Sequence, residues 1–123
     1  MENIKVLLSS RPKLLSQVFR NLIERQTDME VVGEVLDPLQ LVKASEQTTV
    51  DAIIITPLRA NGEPKICHLL LALHPQLKIV TQSANGMVAY LYQSDGQKQR
   101  LDDPSGESIL KVLRDALLPI NRP

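Results

Sequence analysis

The run at positions 50–57 constrains the fold of this chain more than any other segment. It reads Val-Asp-Ala-Ile-Ile-Ile-Thr-Pro, so apolar residues, most of them β-branched, follow one another without polar alternation. Such a run is typical of a central parallel strand that is buried on both faces of a sheet. Because proline cannot donate a ladder hydrogen bond, we expect this strand to end at Thr56. In open parallel sheets, ligands and chemistry lie at the carboxyl ends of the strands, so Thr56 marks the place where function is expected.

The rest of the chain alternates strand-like apolar runs with segments whose apolar residues have helical spacing. The predicted strands cover 4–8, 29–35, 50–56, 78–83, 87–93 and 97–101, and the predicted helices cover 12–26, 37–47, 64–73 and 103–118. This alternation predicts a single α/β domain over residues 1–123, with a mostly parallel sheet and helices on both faces. The core is expected to be aliphatic, because the aromatic residues are only Phe19, Tyr90 and Tyr92.

The link between the fourth and fifth predicted strands is too short for a helix. After Ala84, only Asn85 and Gly86 separate the two strands, whereas a parallel crossover needs a dozen or more residues. We therefore expect the fifth strand either to run antiparallel to the fourth or to be irregular at its start. The Ser-Asp-Gly sequence at 94–96 predicts a hairpin turn that leads into a sixth, antiparallel strand.

Composition and charge narrow the range of partners. The chain has 14 basic and 14 acidic residues, so its net charge gives no electrostatic case for contact with nucleic acid or with an anionic membrane. The single cysteine, Cys67, excludes an intramolecular disulfide and suits a reducing compartment. No apolar run approaches the length of a membrane span, and the first residues lead into a strand without a signal peptide. We expect a cytoplasmic protein.

Residues that could carry metal or nucleophilic chemistry do not form a convincing set. Cys67, His68 and His74 lie on one predicted helix and its end, without a fourth ligand or the spacing of a zinc site. Ser9 and Ser10 lack the Gly-x-Ser-x-Gly context and a partnered histidine. We therefore expect no bound metal, no cofactor and no enzymatic activity.

Several segments together resemble the receiver domain of response regulators. They read Ile-Lys-Val-Leu-Leu at 4–8, Leu-Leu-Ser-Gln-Val-Phe-Arg-Asn-Leu-Ile-Glu-Arg at 14–25, Asp-Met-Glu-Val-Val-Gly-Glu-Val at 28–35, and Leu-His-Pro-Gln-Leu-Lys-Ile-Val at 73–80. The chain is similar to CheY-like receivers of the kind that precede a helix-turn-helix output domain. The resemblance covers residues 4–84 and the last helix. It implies a flavodoxin-like three-layer sandwich with strand order 2-1-3-4-5, in which the family's fourth helix is missing here and a β-hairpin replaces it.

The resemblance also implies where phosphotransfer would occur. Receivers accept a phosphoryl group on an aspartate that ends the third strand, and Thr56 stands at that position. They bind a divalent metal through an acidic pair after the first strand, which is replaced here by Ser10 and Arg11. The lysine that ends their fifth strand corresponds to Gln93. Of the receiver positions, only the hydroxyl residue after the fourth strand is kept in this sequence, as Ser83. These residues are predicted to form a degenerate phosphoacceptor pocket that has lost phosphotransfer.

The functional prediction is a phosphorylation-independent, receiver-like signalling domain of an atypical two-component system. Such a pseudo-receiver would act as a protein–protein interaction or regulatory module, with a signalling protein as partner and with self-association as a homodimer, but without direct contact to nucleic acid or membrane. The alternative is a small-molecule or anion sensor that uses the strand-end crevice.

The interface candidates are Tyr90, Tyr92 and Leu101, because loss of a helix would uncover this part of the sheet. The other interpretation is that both tyrosines pack beneath the hairpin or the last helix.

Overall fold

The helices and strands follow the predicted order. The computed structural model describes residues 3–10, 13–35, 40–56, 65–83, 85–94 and 98–117. The strands are β1 (Ile4–Ser10), β2 (Met29–Val35), β3 (Ala52–Thr56), β4 (Lys78–Gln82), β5 (Ala89–Tyr92) and β6 (Lys98–Arg100). The helices are α1 (Lys13–Glu24), α2 (Gln40–Gln47), α3 (Lys65–Leu73) and α4 (Gly106–Leu117). No helix in these described ranges is long and apolar enough to cross a membrane.

The six strands form one sheet of order β2-β1-β3-β4-β5-β6. The pairs β1–β2, β1–β3 and β3–β4 are parallel, whereas β4–β5 and β5–β6 are antiparallel. The predicted order 2-1-3-4-5 is therefore confirmed, with β6 added at the edge. Of the two expectations for the fifth strand, the antiparallel one holds.

The central strand β3 separates two aliphatic cores, which gives the predicted three-layer sandwich. All five of its residues are buried, and their side chains alternate between the two faces of the sheet. One core joins the sheet to α1 and α4, and it includes Leu8, Phe19, Ile54, Val80 and Leu113. The other joins the sheet to α2 and α3, and it includes Leu7, Leu41, Ile53, Leu70 and Ile79.

The inward face of α3 differs from the predicted one. The spacing of apolar residues over 64–73 predicts that Ile66, Leu69, Leu70 and Leu73 face inward. The exposed fractions of Leu69 and Leu73 are 48% and 47%, so these two do not. Leu70 is buried as predicted, and Cys67 and Leu71 are buried beside it. The helix is apolar almost all round, so its sequence does not distinguish the covered face from the wet one.

A bidentate ion pair joins the last helix, α4, to the residue just before β2. The Arg114 Nε donates to Asp28 Oδ2 at 2.6 Å, and Arg114 Nη2 donates to Asp28 Oδ1 at 3.0 Å and to Gln26 Oε1 at 2.8 Å. The hydrogen bonds from Arg114 hold the pKa of the Asp28 carboxyl below its usual value of 3.8. A carboxyl whose pKa is lower in the folded state stabilises the fold above its unfolded pKa and loses that contribution as the pH falls.

Replacing Asp28 with asparagine should therefore lower the free energy of unfolding at neutral pH. The difference from the wild type should shrink as the pH falls below 3.8 and should close below the lowered pKa of folded Asp28, where its carboxyl is protonated and uncharged. Urea unfolding at a series of pH values measures this difference. Asp102→Asn at an exposed position serves as the control and should change stability little at any pH. A difference for Asp28→Asn that is constant across the pH range would contradict the ion-pair account.

Candidate functional site

The carboxyl ends of β1 and β3 bring two of the predicted pocket positions together. Ser10 is the register partner of Thr56 in the parallel β1–β3 ladder. Thr56 is 3% exposed, so its hydroxyl lies inside the protein at the end of the central strand. Arg11, the third predicted residue at this edge, lies outside the described residues. The edge that carries phosphotransfer in receivers therefore pairs a serine position with a buried threonine.

Ser83 reaches the same edge, but its hydroxyl is part of a turn. Ser83 Oγ donates to Asn85 Oδ1 at 2.7 Å and accepts from the Val88 amide at 3.1 Å. The Ser83 and Val88 backbones are joined as well, since Ser83 N donates to Val88 O at 2.8 Å. The one hydroxyl that matches the receiver pattern is thus engaged in reversing the chain between β4 and β5.

A glycine and a side-chain amide complete this turn. The Asn85 Oδ1 also accepts from the Met87 amide at 3.0 Å, and the Gly86 amide donates to Ser83 O at 2.9 Å. Gly86 has a φ of 74°, in the left-handed region that residues with a Cβ rarely adopt. The sequence signal for this turn is Asn85-Gly86, the type of dipeptide that favours a tight reversal.

Gln93 is not part of the pocket, which corrects the prediction. In the antiparallel β4–β5 ladder, Gln82 at the carboxyl end of β4 pairs with Ala89, and Ile79 near its amino end pairs with Tyr92. Gln93 follows Tyr92 and therefore lies at the amino edge of the sheet, at the opposite end from Thr56. The prediction placed Gln93 in the pocket by matching it to the lysine of receivers, in which the fifth strand is parallel. The reversal at Ser83 carries the end of β5 away from the site.

Two of the three predicted interface residues belong to the core instead. Tyr92 is 3% exposed, and its ring meets the His68 ring of α3 edge-on, with centroids 6.4 Å apart. Leu101 is 6% exposed and lies in the core beneath α4, where its amide donates to Ala89 O at 2.9 Å. Because side chains alternate along β5, Tyr92 faces α3 while Leu91 faces α4. Tyr92 therefore packs against α3 rather than beneath the hairpin or the last helix.

Tyr90 keeps a partly exposed position beside two cationic side chains. It is half-buried, and Lys98 Nζ lies 4.7 Å from its ring centroid. Arg100 is the register partner of Tyr90, and Lys98 is that of Tyr92, so both cations lie on the α3 side of the sheet. Lys98 and Arg100 are exposed on the edge strand. This part of the hairpin combines an aromatic ring with positive charge.

The side chains of Cys67, His68 and His74, on α3 and just after it, do not converge on one site. Cys67 is fully buried in the core, whereas His68 is exposed and contacts Tyr92. His74 lies beyond the helix end, where its Nε2 is 3.3 Å from Ser45 Oγ. Within the described residues, no group of three or more His, Cys, Asp or Glu side chains could hold a metal ion.

The sequence matches no protein-family model and no curated protein. In structure, the chain is similar to the response regulator domain of Thermotoga maritima CheB, as seen in its crystal structure. The TM-score is 0.70 and the sequence identity 18%, over 95% of this chain and 98% of that chain. The chain has a receiver fold. The resemblance found in the sequence is therefore confirmed at the level of the fold.

The two tyrosines of β5 should differ in their contribution to stability. Tyr92→Ala should lower the free energy of unfolding by about 3 kcal/mol, because it empties a core position. Tyr90→Ala should lower it by only about 1 kcal/mol, since part of that ring remains in water when the protein is folded. Denaturant unfolding of both variants measures the contrast. Equal losses, or a larger loss for Tyr90→Ala, would contradict the placement of Tyr92 in the core.

Proposed function

We propose that this domain is a receiver-like regulatory module that works through protein–protein contact and without aspartyl phosphorylation. The receiver fold supports a role as a signalling regulatory module. The observation that carries the proposal is the pairing of Ser10 with buried Thr56 at the edge where receivers hold their carboxylates.

The acceptor position lacks the required chemical group. A receiver phosphoryl group is held as an acyl phosphate, which forms only on a carboxylate. Thr56 offers a hydroxyl, and a neutral hydroxyl is a weak nucleophile without an adjacent base. The sequence has no Asp or Glu at 7–11 or at 54–59, the two segments around these strand ends.

The charges that would assist transfer are missing as well. Hard divalent cations prefer clustered oxygen ligands with negative charge, and the sequence has serine and arginine where receivers have an acidic pair. Gln93, which stands for the phosphate-neutralising lysine, lies at the far edge of the sheet because β5 is antiparallel. Replacing a single residue therefore does not rebuild the receiver site.

The partner surface in this proposal is the cationic part of the hairpin, formed by Tyr90, Lys98 and Arg100. Tyrosine and arginine are both enriched in protein interfaces, and Arg100 is the register partner of half-buried Tyr90. A symmetric contact between two copies through this surface would bring like charges together, which is unfavourable. The proposal therefore favours a different protein that presents acidic groups over the homodimer expected from the sequence.

Incubation with acetyl phosphate and magnesium should leave the mass of the protein unchanged in intact-protein mass spectrometry. Thr56→Asp should not gain a phosphoryl group either, because the other receiver positions are still changed. An adduct of one phosphoryl group on the wild type that is lost in Thr56→Ala would overturn phosphorylation independence. Phosphorylation of Thr56→Asp would show that the remaining site is more complete than we propose.

Arg100→Glu should weaken capture of the partner from native cell extract, because it reverses a charge on the proposed surface. The matched control is Arg25→Glu, a charge reversal at an exposed position just after α1. The control should capture the same proteins as the wild type. If both variants capture equally well, the hairpin is not the partner surface. Sedimentation of the wild type as a dimer that Arg100→Glu strengthens would instead support self-association through this face.

A further inference from the structure

A polar cavity of about 280 Å³ opens at the amino edge of the sheet, between the ends of α2 and α3. Its buried part is formed by Ser45, Val50 and Leu77, which are at most 9% exposed. Glu46, Thr48, Thr49 and Gln76 line its exposed part. The cavity lies at the opposite edge of the sheet from Thr56, so it is separate from the receiver site.

The contact between Ser45 and His74 fixes which polar atoms this cavity offers. Ser45 Oγ donates its proton to Val42 O at 2.8 Å, because a carbonyl oxygen only accepts. The same oxygen lies 3.3 Å from His74 Nε2, so in this contact the imidazole N–H is the donor. The Ser45 hydroxyl is therefore already hydrogen-bonded within the wall of the cavity, and the oxygen acceptors open to a ligand belong to the exposed lining residues.

Groups with negative full or partial charge surround the cavity. Both α2 and α3 end beside it, and the C-terminus of a helix carries the negative end of its dipole. The Glu46 carboxylate adds a full negative charge, and the hydroxyls of Thr48 and Thr49 add oxygen acceptors. No lysine or arginine occurs among the described residues that line the cavity.

We propose that this cavity binds a small organic cation through an ammonium group. An ammonium has three donors and no acceptor, which matches a lining rich in oxygen acceptors. An anion would meet the helix C-termini and Glu46 with unfavourable charge. A hard divalent metal would find one carboxylate where such ions usually take several oxygen ligands with more negative charge. The proposal does not depend on the receiver-like function, because it uses other residues at the other edge of the sheet.

A titration with 1,4-diaminobutane tests the proposal, with 1,4-butanediol as a neutral probe of similar length. The readout is the set of backbone amide shifts in ¹H–¹⁵N correlation spectra of the full chain. The diamine should cause saturable shifts that centre on Ser45, Thr48, Thr49 and His74, and the diol should cause none. Shifts of equal size from the diol, or diamine shifts spread over all acidic surfaces, would overturn the proposal.

Glu46→Gln should weaken diamine binding about fivefold, the change expected for losing one charge–charge attraction at about 4 Å in water. Glu46 is exposed, so this substitution is expected to leave the fold intact, and the spectrum itself reports whether it does. The matched control is Glu107→Gln in α4, an exposed position that does not line the cavity. It should leave the affinity unchanged. Equal affinity of the wild type and Glu46→Gln would overturn the proposal, as would an equal loss in both variants.

Discussion

The direction of β5, and with it the position of Gln93, depends on the reversal of the chain at Ser83. Its hydroxyl bridges Asn85 and Val88, and its backbone pairs with that of Val88. A connection this short cannot cross over the sheet, so β5 can only return alongside β4 in the opposite direction. In receivers the corresponding hydroxyl serves phosphotransfer, whereas here its hydrogen bonds stabilise the turn. A small polar residue thus retains its place after β4 and has a structural role.

The direction of β5 then decides the neighbours of several other side chains. Gln93 is carried to the amino edge, which removes from the site the position that holds a lysine in receivers. Tyr92 packs on His68 of α3, and Leu101 packs beneath α4. The hairpin places the two cations of β6 on the α3 side, next to Tyr90. One short turn therefore accounts for the distance of Gln93 from the other pocket positions and for the surface that we propose for a partner.

The sequence predicts the architecture well because the fold rests on patterns that are local and strong. The β-branched run before Pro57 marks the central strand, and the spacing of apolar residues marks the helices around it. The antiparallel course of β5 was one of two open expectations, because loop length excludes a crossover helix but does not show whether the strand is regular from its start. The burial of Tyr92 could not be predicted, since it depends on which helix covers each face. The prediction that Leu69 and Leu73 face inward was wrong. The helix α3 is apolar almost all round, so its sequence does not indicate which side is exposed to solvent.

The most direct test of this account is the direction of β5 in solution, measured by nuclear Overhauser contacts between the backbone protons of β4 and β5. The antiparallel ladder pairs Ile79 with Tyr92 and Gln82 with Ala89. We therefore predict contacts of the Tyr92 backbone with Ile79, and of Gln93 with Lys78. Contacts of Tyr92 and Gln93 with Gln82 and Ser83 would indicate a parallel strand. That result would return Gln93 to the receiver edge and contradict the account.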